Sequence, residues 1–270
     1  MTATTNDGLT SNPVAAGPFL GLGNIFRKDI LDWRRGRRAW TVVIVTSAVM
    51  LAAVSGARMQ AYLQTVVPAQ PGDPVGPITL GAMDNFLTGI GTQFFAFAAI
   101  FATASLLIAE RDSGTLAWTF SKPVGRGSAW ISKWLSASIA LWITAVVIPV
   151  IVSFVAAWAL YGMPDVRAAA ILAIGLGAVT SLYAAVTLTA STFVPNQAAV
   201  AAIGLAVMFV PDLLTGVLPG LRSVLPTSMF PWTLGLAMGQ DVPWETPLAW
   251  AIGIAVLAVI SVRRLEATEF

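Results

Sequence analysis

Residues 110–133, ERDSGTLAWTFSKPVGRGSAWISK, form a charged, turn-rich stretch between two long uncharged runs, Asn85–Ala109 and Trp134–Pro164. Such a segment cannot lie in hydrocarbon, where every unsatisfied polar group costs several kcal/mol. The runs beside it are each long enough to cross a bilayer, which takes about 20 apolar residues. The stretch is therefore a loop at a membrane surface. The rest of the chain can be counted outward from it.

Of the 270 residues, 57% are hydrophobic and only 10% are charged, against about 25% charged in a soluble domain. Ala39–Ala57 and Thr246–Val262 are two further charge-free runs of spanning length. The run from Ala168 to Pro211 is 44 residues long, twice what one crossing needs. It breaks at Val194-Pro195-Asn196-Gln197, where proline opposes helix continuation and two polar residues suit a turn. The expected fold is all-α and integral to the membrane. Its six spans lie at about 39–57, 85–109, 134–161, 168–193, 197–218 and 245–262. Residues 1–18 read as a disordered cytoplasmic tail without the pattern of a signal peptide, and residues 19–270 as one transmembrane domain.

Charge sets the expected orientation. Arg27, Lys28, Arg34, Arg35, Arg37 and Arg38 precede the first span. Arg111, Lys122, Arg126 and Lys133 lie around the loop after span two, and Arg263 and Arg264 follow span six. Twelve of the 15 basic residues thus fall on one face, which the positive-inside rule makes cytoplasmic. Both termini are expected there. Ahead of span one, Phe19, Leu22, Phe26, Ile30 and Trp33 recur at steps of three and four. That spacing predicts an amphipathic helix on the inner leaflet, with its basic side chains toward anionic headgroups. Prolines 68, 71, 74 and 77 predict a stiff outer connector. Prolines 219, 226, 231, 243 and 247 cut an apolar segment into pieces too short to span, so short re-entrant helices are expected before span six.

Several chemistries are excluded by composition. The chain has no cysteine and no histidine, so disulfides, Cys or His metal sites and a Ser-His-Asp triad are absent. No Gly-x-x-x-x-Gly-Lys-Ser/Thr phosphate loop occurs. Within the spans, Gln93 and Asp212 are candidates for a pathway. Asp212 would lie about 22 Å along a helix starting near Gln197, and an intramembrane carboxylate is a functional candidate.

Within 110–133, Asp112 or Ser113 is expected to cap a short helix after a sharp turn at Gly114. Leu116 and Phe120 would share one face of it, and Pro123, Gly125 and Gly127 would end it. Glu-Arg-x-Ser-Gly-Thr-Leu at 110–116, Ser-Lys-Pro-Val-x-Arg at 121–126 and then Lys133 are similar to the first cytoplasmic loop of ABC-2 type ABC transporter permeases. The family pattern departs at Ala117-Trp118-Thr119-Phe120, where a leucine-rich run is common. The resemblance implies a dimeric six-helix permease, paired with a second copy or a paralogue. It implies no cofactor in this chain: ATP and Mg are bound by a separate cytoplasmic ABC ATPase subunit. It also implies that the loop is a coupling helix, with Glu110, Asp112, Gly114, Thr115, Leu116 and Phe120 as the docking face and Arg126 at its rim. The expected setting is a multi-pass protein of a prokaryotic plasma membrane, in contact with lipids and not with nucleic acid. Export of an apolar or amphipathic substrate is the expected role. The alternatives are a permease-like assembly or signalling subunit that moves nothing and, last, a polytopic membrane enzyme.

Overall fold

A computed structural model of the chain describes residues 20–66, 92–121, 124–217, 220 and 223–267. The expected tail and the proline-rich connector lie outside the described residues. Among those described, every regular element is helical.

Helix α1 (Leu22–Arg35) turns through the single residue Gly36 into α2 (Arg37–Val66). Gly36 donates its N–H to the carbonyls of Asp32 and Trp33 at 3.0 and 3.2 Å, so the elbow is closed by backbone bonds. Helices α3 (Thr92–Thr103) and α4 (Leu106–Asp112) form one rod broken at Ala104-Ser105. Beyond the short α5 (Thr115–Phe120) comes the longest rod. It consists of α6 (Arg126–Leu141), a π-helical turn (Trp142–Val147) and α7 (Ile148–Tyr161). The widened turn ends two residues before Pro149, which has no N–H and whose ring crowds the carbonyl four residues back. Helix α8 (Val166–Phe193) ends where the Pro-Asn pair falls, and α9 (Gln197–Val217) begins with Asn196 Oδ1 accepting from the Ala198 N–H at 2.8 Å. A 3₁₀ turn (Pro226–Ser228), α10 (Met229–Ala237) and α11 (Glu245–Glu266) complete the chain.

Five helical stretches are long and apolar enough to cross a membrane: Arg37–Gly56, Gln93–Asp112, Arg126–Leu160, Val166–Phe193 and Glu245–Glu266. Gln197–Pro211 is a shorter apolar helix. The helix that carries the third stretch starts at Arg126, eight residues before the charge-free run that begins at Trp134. Gly127 does not end a helix as expected; it lies buried in the first turn of α6.

Helix α8 is the hub, packing against α3, α6, α9, α10 and α11. Its buried run from Gly175 to Thr192 supplies small and hydroxyl residues that let neighbours approach closely. A Cβ on Gly177 would run into the Trp142 ring, and one on Gly175 into the Thr233 side chain. Thr103 and Thr187 hydroxyls bond to each other across α3 and α8, and Ser261 Oγ donates to Thr189 Oγ1 at 2.9 Å across α11 and α8. The outer faces carry large apolar side chains, among them Trp40, Ile44, Ile151, Trp158, Ile174 and Ile252, each more than half exposed. That inversion of the soluble pattern suits lipid.

Candidate functional site

The loop after α4 folds as a tight helix–turn–helix. Gly114 adopts φ +70, a left-handed conformation that costs other residues strain. Its N–H bonds the Arg111 carbonyl at 3.1 Å while its own carbonyl accepts from Trp118 at 3.1 Å. The residue preceding α5 is therefore Gly114, with no side-chain cap. Asp112 instead closes α4, and the Ser113 hydroxyl pairs with Thr115 Oγ1 at 2.8 Å.

Helix α5 has two faces. Leu116 is buried against the body, Thr115 and Phe120 are half-buried, and Trp118 stands 63% exposed beside Ala117. Asp112, Ser113 and Gly114 are also exposed. Of the residues expected to form a docking face, the structure thus brings Asp112 and Gly114 outward. It sets Leu116 inward as the anchor of α5.

Glu110 also faces the fold, where it joins two helices. Its Oε1 accepts from Lys28 Nζ of α1 at 2.7 Å, and its Oε2 pairs with Lys133 Nζ of α6 at 2.7 Å. Asp29 Oδ1 lies 3.6 Å from both ammonium groups. Three of its members are nearly shielded, the Lys133, Asp29 and Glu110 side chains being 6%, 11% and 18% exposed, while Lys28 is 43% exposed. Burial alone would lower the Lys28 pKa, yet the hydrogen bond and charge of Glu110 carry it above the ordinary lysine value. Burial pushes the Asp29 carboxyl up, with Lys133 opposing.

The next residues reach other helices. Arg111 Nη2 donates to the Ser191 carbonyl near the end of α8 at 3.2 Å. Arg126, at the start of α6, donates through Nη1 to the Leu265 and Glu266 carbonyls at 2.9 and 2.6 Å. Those are terminal carbonyls of α11, which leave acceptors open and carry negative partial charge. The same guanidinium lies 5.9 Å from the Phe120 ring centroid. Arg126 therefore joins α5, α6 and α11. Below the loop, Trp130 and Trp134 stack at 6.1 Å, and Trp134 Nε1 donates to the Ser181 carbonyl of α8 at 3.0 Å.

Lys28, Asp29 and Arg111 were not singled out from the sequence. Two acids, Asp29 and Asp32, on an otherwise basic, amphipathic helix are the signal that could have marked the cluster. Gln93 is half-buried near the start of α3. Asp212 lies in α9, its side chain outside the described residues. Among the described residues no group of three or more acidic side chains is placed to hold a metal ion.

Apolar helices that expose their large side chains outward define a multi-pass membrane protein. The chain belongs to the ABC-2 family of transporter proteins: that family's model matches residues 23–231, from the first turn of α1 into α10. No curated protein matches it.

Proposed function

We propose that this chain is the membrane subunit of an ATP-driven ABC transporter, energised by a separate cytoplasmic ATPase that docks on α5. The observation that carries the reading is the wiring of α5. Glu110 and Arg111 before it and Arg126 after it bond to α1, α6, α8 and α11. A push on so short a helix would reach all four at once, because charge-assisted bonds and packed side chains transmit displacement with little slack. The docking surface is the outward face, with Trp118 at its centre and Asp112, Gly114 and Thr115 beside it. Glu110, Leu116, Phe120 and Arg126 act behind it as the coupling residues that seat the lever.

The rest of the assembly follows the same reading. α9 is the sixth crossing, both termini are cytoplasmic, and α10 dips into the outer leaflet before α11. α1 lies along the inner leaflet with Arg27, Arg34 and Arg35 toward headgroups. Two such subunits form the path, through which an apolar or amphipathic compound leaves the cell. ATP and Mg stay with the partner.

The test is co-purification. Trp118→Asp should insert normally but lose the co-expressed ATPase subunit. Glu110→Gln should retain the subunit yet lose substrate-stimulated ATP hydrolysis. Undiminished capture of the ATPase by Trp118→Asp would overturn the docking assignment.

A further inference from the structure

The rod made of α3 and α4 breaks where its own sequence gives no reason to break. Residues 101–106 read Phe-Ala-Thr-Ala-Ser-Leu, with no glycine or proline and with two alanines, the best helix former. Regular helix nevertheless stops at Thr103 and resumes at Leu106. Ser105 between them has φ −92° and ψ −8°, against about −63° and −42° in an α-helix. The backbone ladder holds as far as Ala104 N–H to the Ile100 carbonyl and resumes with Ala109 N–H to the Ser105 carbonyl, both at 2.9 Å. Among the described residues the steps between, Ser105 to Phe101 and Ile108 to Ala104, are missing.

Sharp interruptions come from proline, glycine–serine pairs, π-turns or a side chain inserted into the ladder. The inserted side chain here is Arg38, from the first turn of α2. Its Nη1 donates to the Ala102 carbonyl at 3.3 Å and its Nη2 to Ser105 Oγ at 2.9 Å. One planar fork thus straddles the end of α3 and the residue that starts α4. A donor from the side draws a helical carbonyl out of line with its own N–H, which opens the ladder. Thr103 Oγ1 also bonds the Ala99 carbonyl at 2.7 Å, a contact that bends helices slightly. It is not the cause, because Thr187, Thr233 and Ser261 make the same contact in helices that run on unbroken. Ala102, Thr103 and Ala104 are buried, so the open ladder is not relieved by bulk water.

The two sides of the break are fastened differently. α3 packs along α8, where the Thr103 and Thr187 hydroxyls bond. α4 carries Glu110 to Lys28 of α1 and Lys133 of α6, and leads into α5. We propose that Arg38 is a wedge that holds the rod open at Ala104-Ser105 and so sets the direction in which α4 presents α5. Withdrawing it closes the rod into one continuous helix, with the Ser105 and Ile108 N–H groups on the Phe101 and Ala104 carbonyls. Arg38 is then a positioning residue that acts through the helix break. Its consequence for coupling rests on the docking of an ATPase at α5 proposed above; the wedge itself does not.

Amide exchange of the full chain in nanodiscs, read by mass spectrometry on peptides covering 101–109, tests the wedge. Loss of an ordinary contact speeds exchange nearby, because local opening becomes easier. Arg38→Met keeps a long stem and removes the fork, and should instead slow exchange at the Ser105 and Ile108 amides by about tenfold, the worth of one new backbone hydrogen bond each. Ser105→Ala leaves every charge in place and removes one of the two acceptors; it should slow exchange by a smaller factor. Arg37→Met removes an equal charge one residue earlier and should leave the break unchanged. Exchange that is as fast or faster in both Arg38→Met and Ser105→Ala overturns the wedge. In complex with the co-expressed ATPase, Arg38→Met should retain that subunit and lose most of the ATP hydrolysis that depends on the membrane chain. Slowed exchange with full hydrolysis would overturn the positioning role. Failure of Trp118→Asp to release the ATPase strikes the docking reading alone, since the exchange measurement needs no partner.

Discussion

Glu110 Oε2 and Lys133 Nζ sit 2.7 Å apart, joining the last turn of α4 to the middle of α6 in a nearly shielded setting. The second oxygen of the same carboxylate takes Lys28 at 2.7 Å. One side chain thus ties the segment before α5 to α6 and to the amphipathic helix α1. Lys133, 6% exposed, is the more shielded of the two cations, and its loss would leave Glu110 with only the part-exposed Lys28.

Glu110→Gln should therefore destabilise the chain by about 3–5 kcal/mol, the usual cost of removing one partner from a buried pair. Lys133→Met should also destabilise, since it strips Glu110 of one of two cations. The double variant should be less harmful than the sum of the two. Thermal midpoints in detergent across this double-mutant cycle check it; strict additivity would mean the pair is energetically idle.

Gly114→Ala should cost about 1–2 kcal/mol through its left-handed backbone alone. No atom stands within 4 Å of the added Cβ, so crowding plays no part. Gly114→Asn should cost less, because asparagine visits that conformation more readily. The order Gly, Asn, Ala in melting temperature is the expected reading, and ATPase capture should fall in the same order.

Two other glycines should behave oppositely. Gly177→Ala drives a methyl into the Trp142 ring, whose Nε1 donates to the Ala173 carbonyl at 3.0 Å. A loss of about 1–3 kcal/mol is expected from overpacking. Gly253, in α11, has no atom within 4 Å of its Cβ position. Gly253→Ala should leave stability unchanged or raise it by about 0.5 kcal/mol, as helical alanine does over glycine.

Asp29 predicts a pH dependence. Burial lifts its carboxyl above the ordinary value of 3.8, against the pull of Lys133. The folded chain then holds that proton more tightly than the unfolded chain. Its contribution to stability is full below pH 3.8 and is lost as pH rises through the lifted value. Asp29→Asn should remove this component, giving a flatter stability profile from about pH 4 toward neutrality. An unchanged profile, measured by denaturant midpoints at several pH values, would discount the shift.

Much of this molecule was legible in its sequence because lipid imposes one-dimensional rules. Run length, charge placement and proline position located five membrane helices, the break at Pro195 and the short helix after Gly114, since each is a local consequence of backbone satisfaction and conformational cost. The amphipathic helix α1 was readable from its period. The burial of Lys133 was not, because it depends on pairing with Asp29 and Glu110, which lie elsewhere along the chain.

The roles within the loop were least legible for the same reason. Sequence spacing put Leu116 and Phe120 on one face, but could not say whether that face meets the body or the cytosol. Glu110 and Arg126 looked like solvent-facing charges; their partners Lys28 and Glu266 lie 82 and 140 residues away. Periodicity reports which residues share a side of a helix. Only the packing of α1, α6, α8 and α11 around one end of the bundle decides which side is inside, and so ties Glu110, Arg111, Arg126 and Lys133 to helices far along the chain.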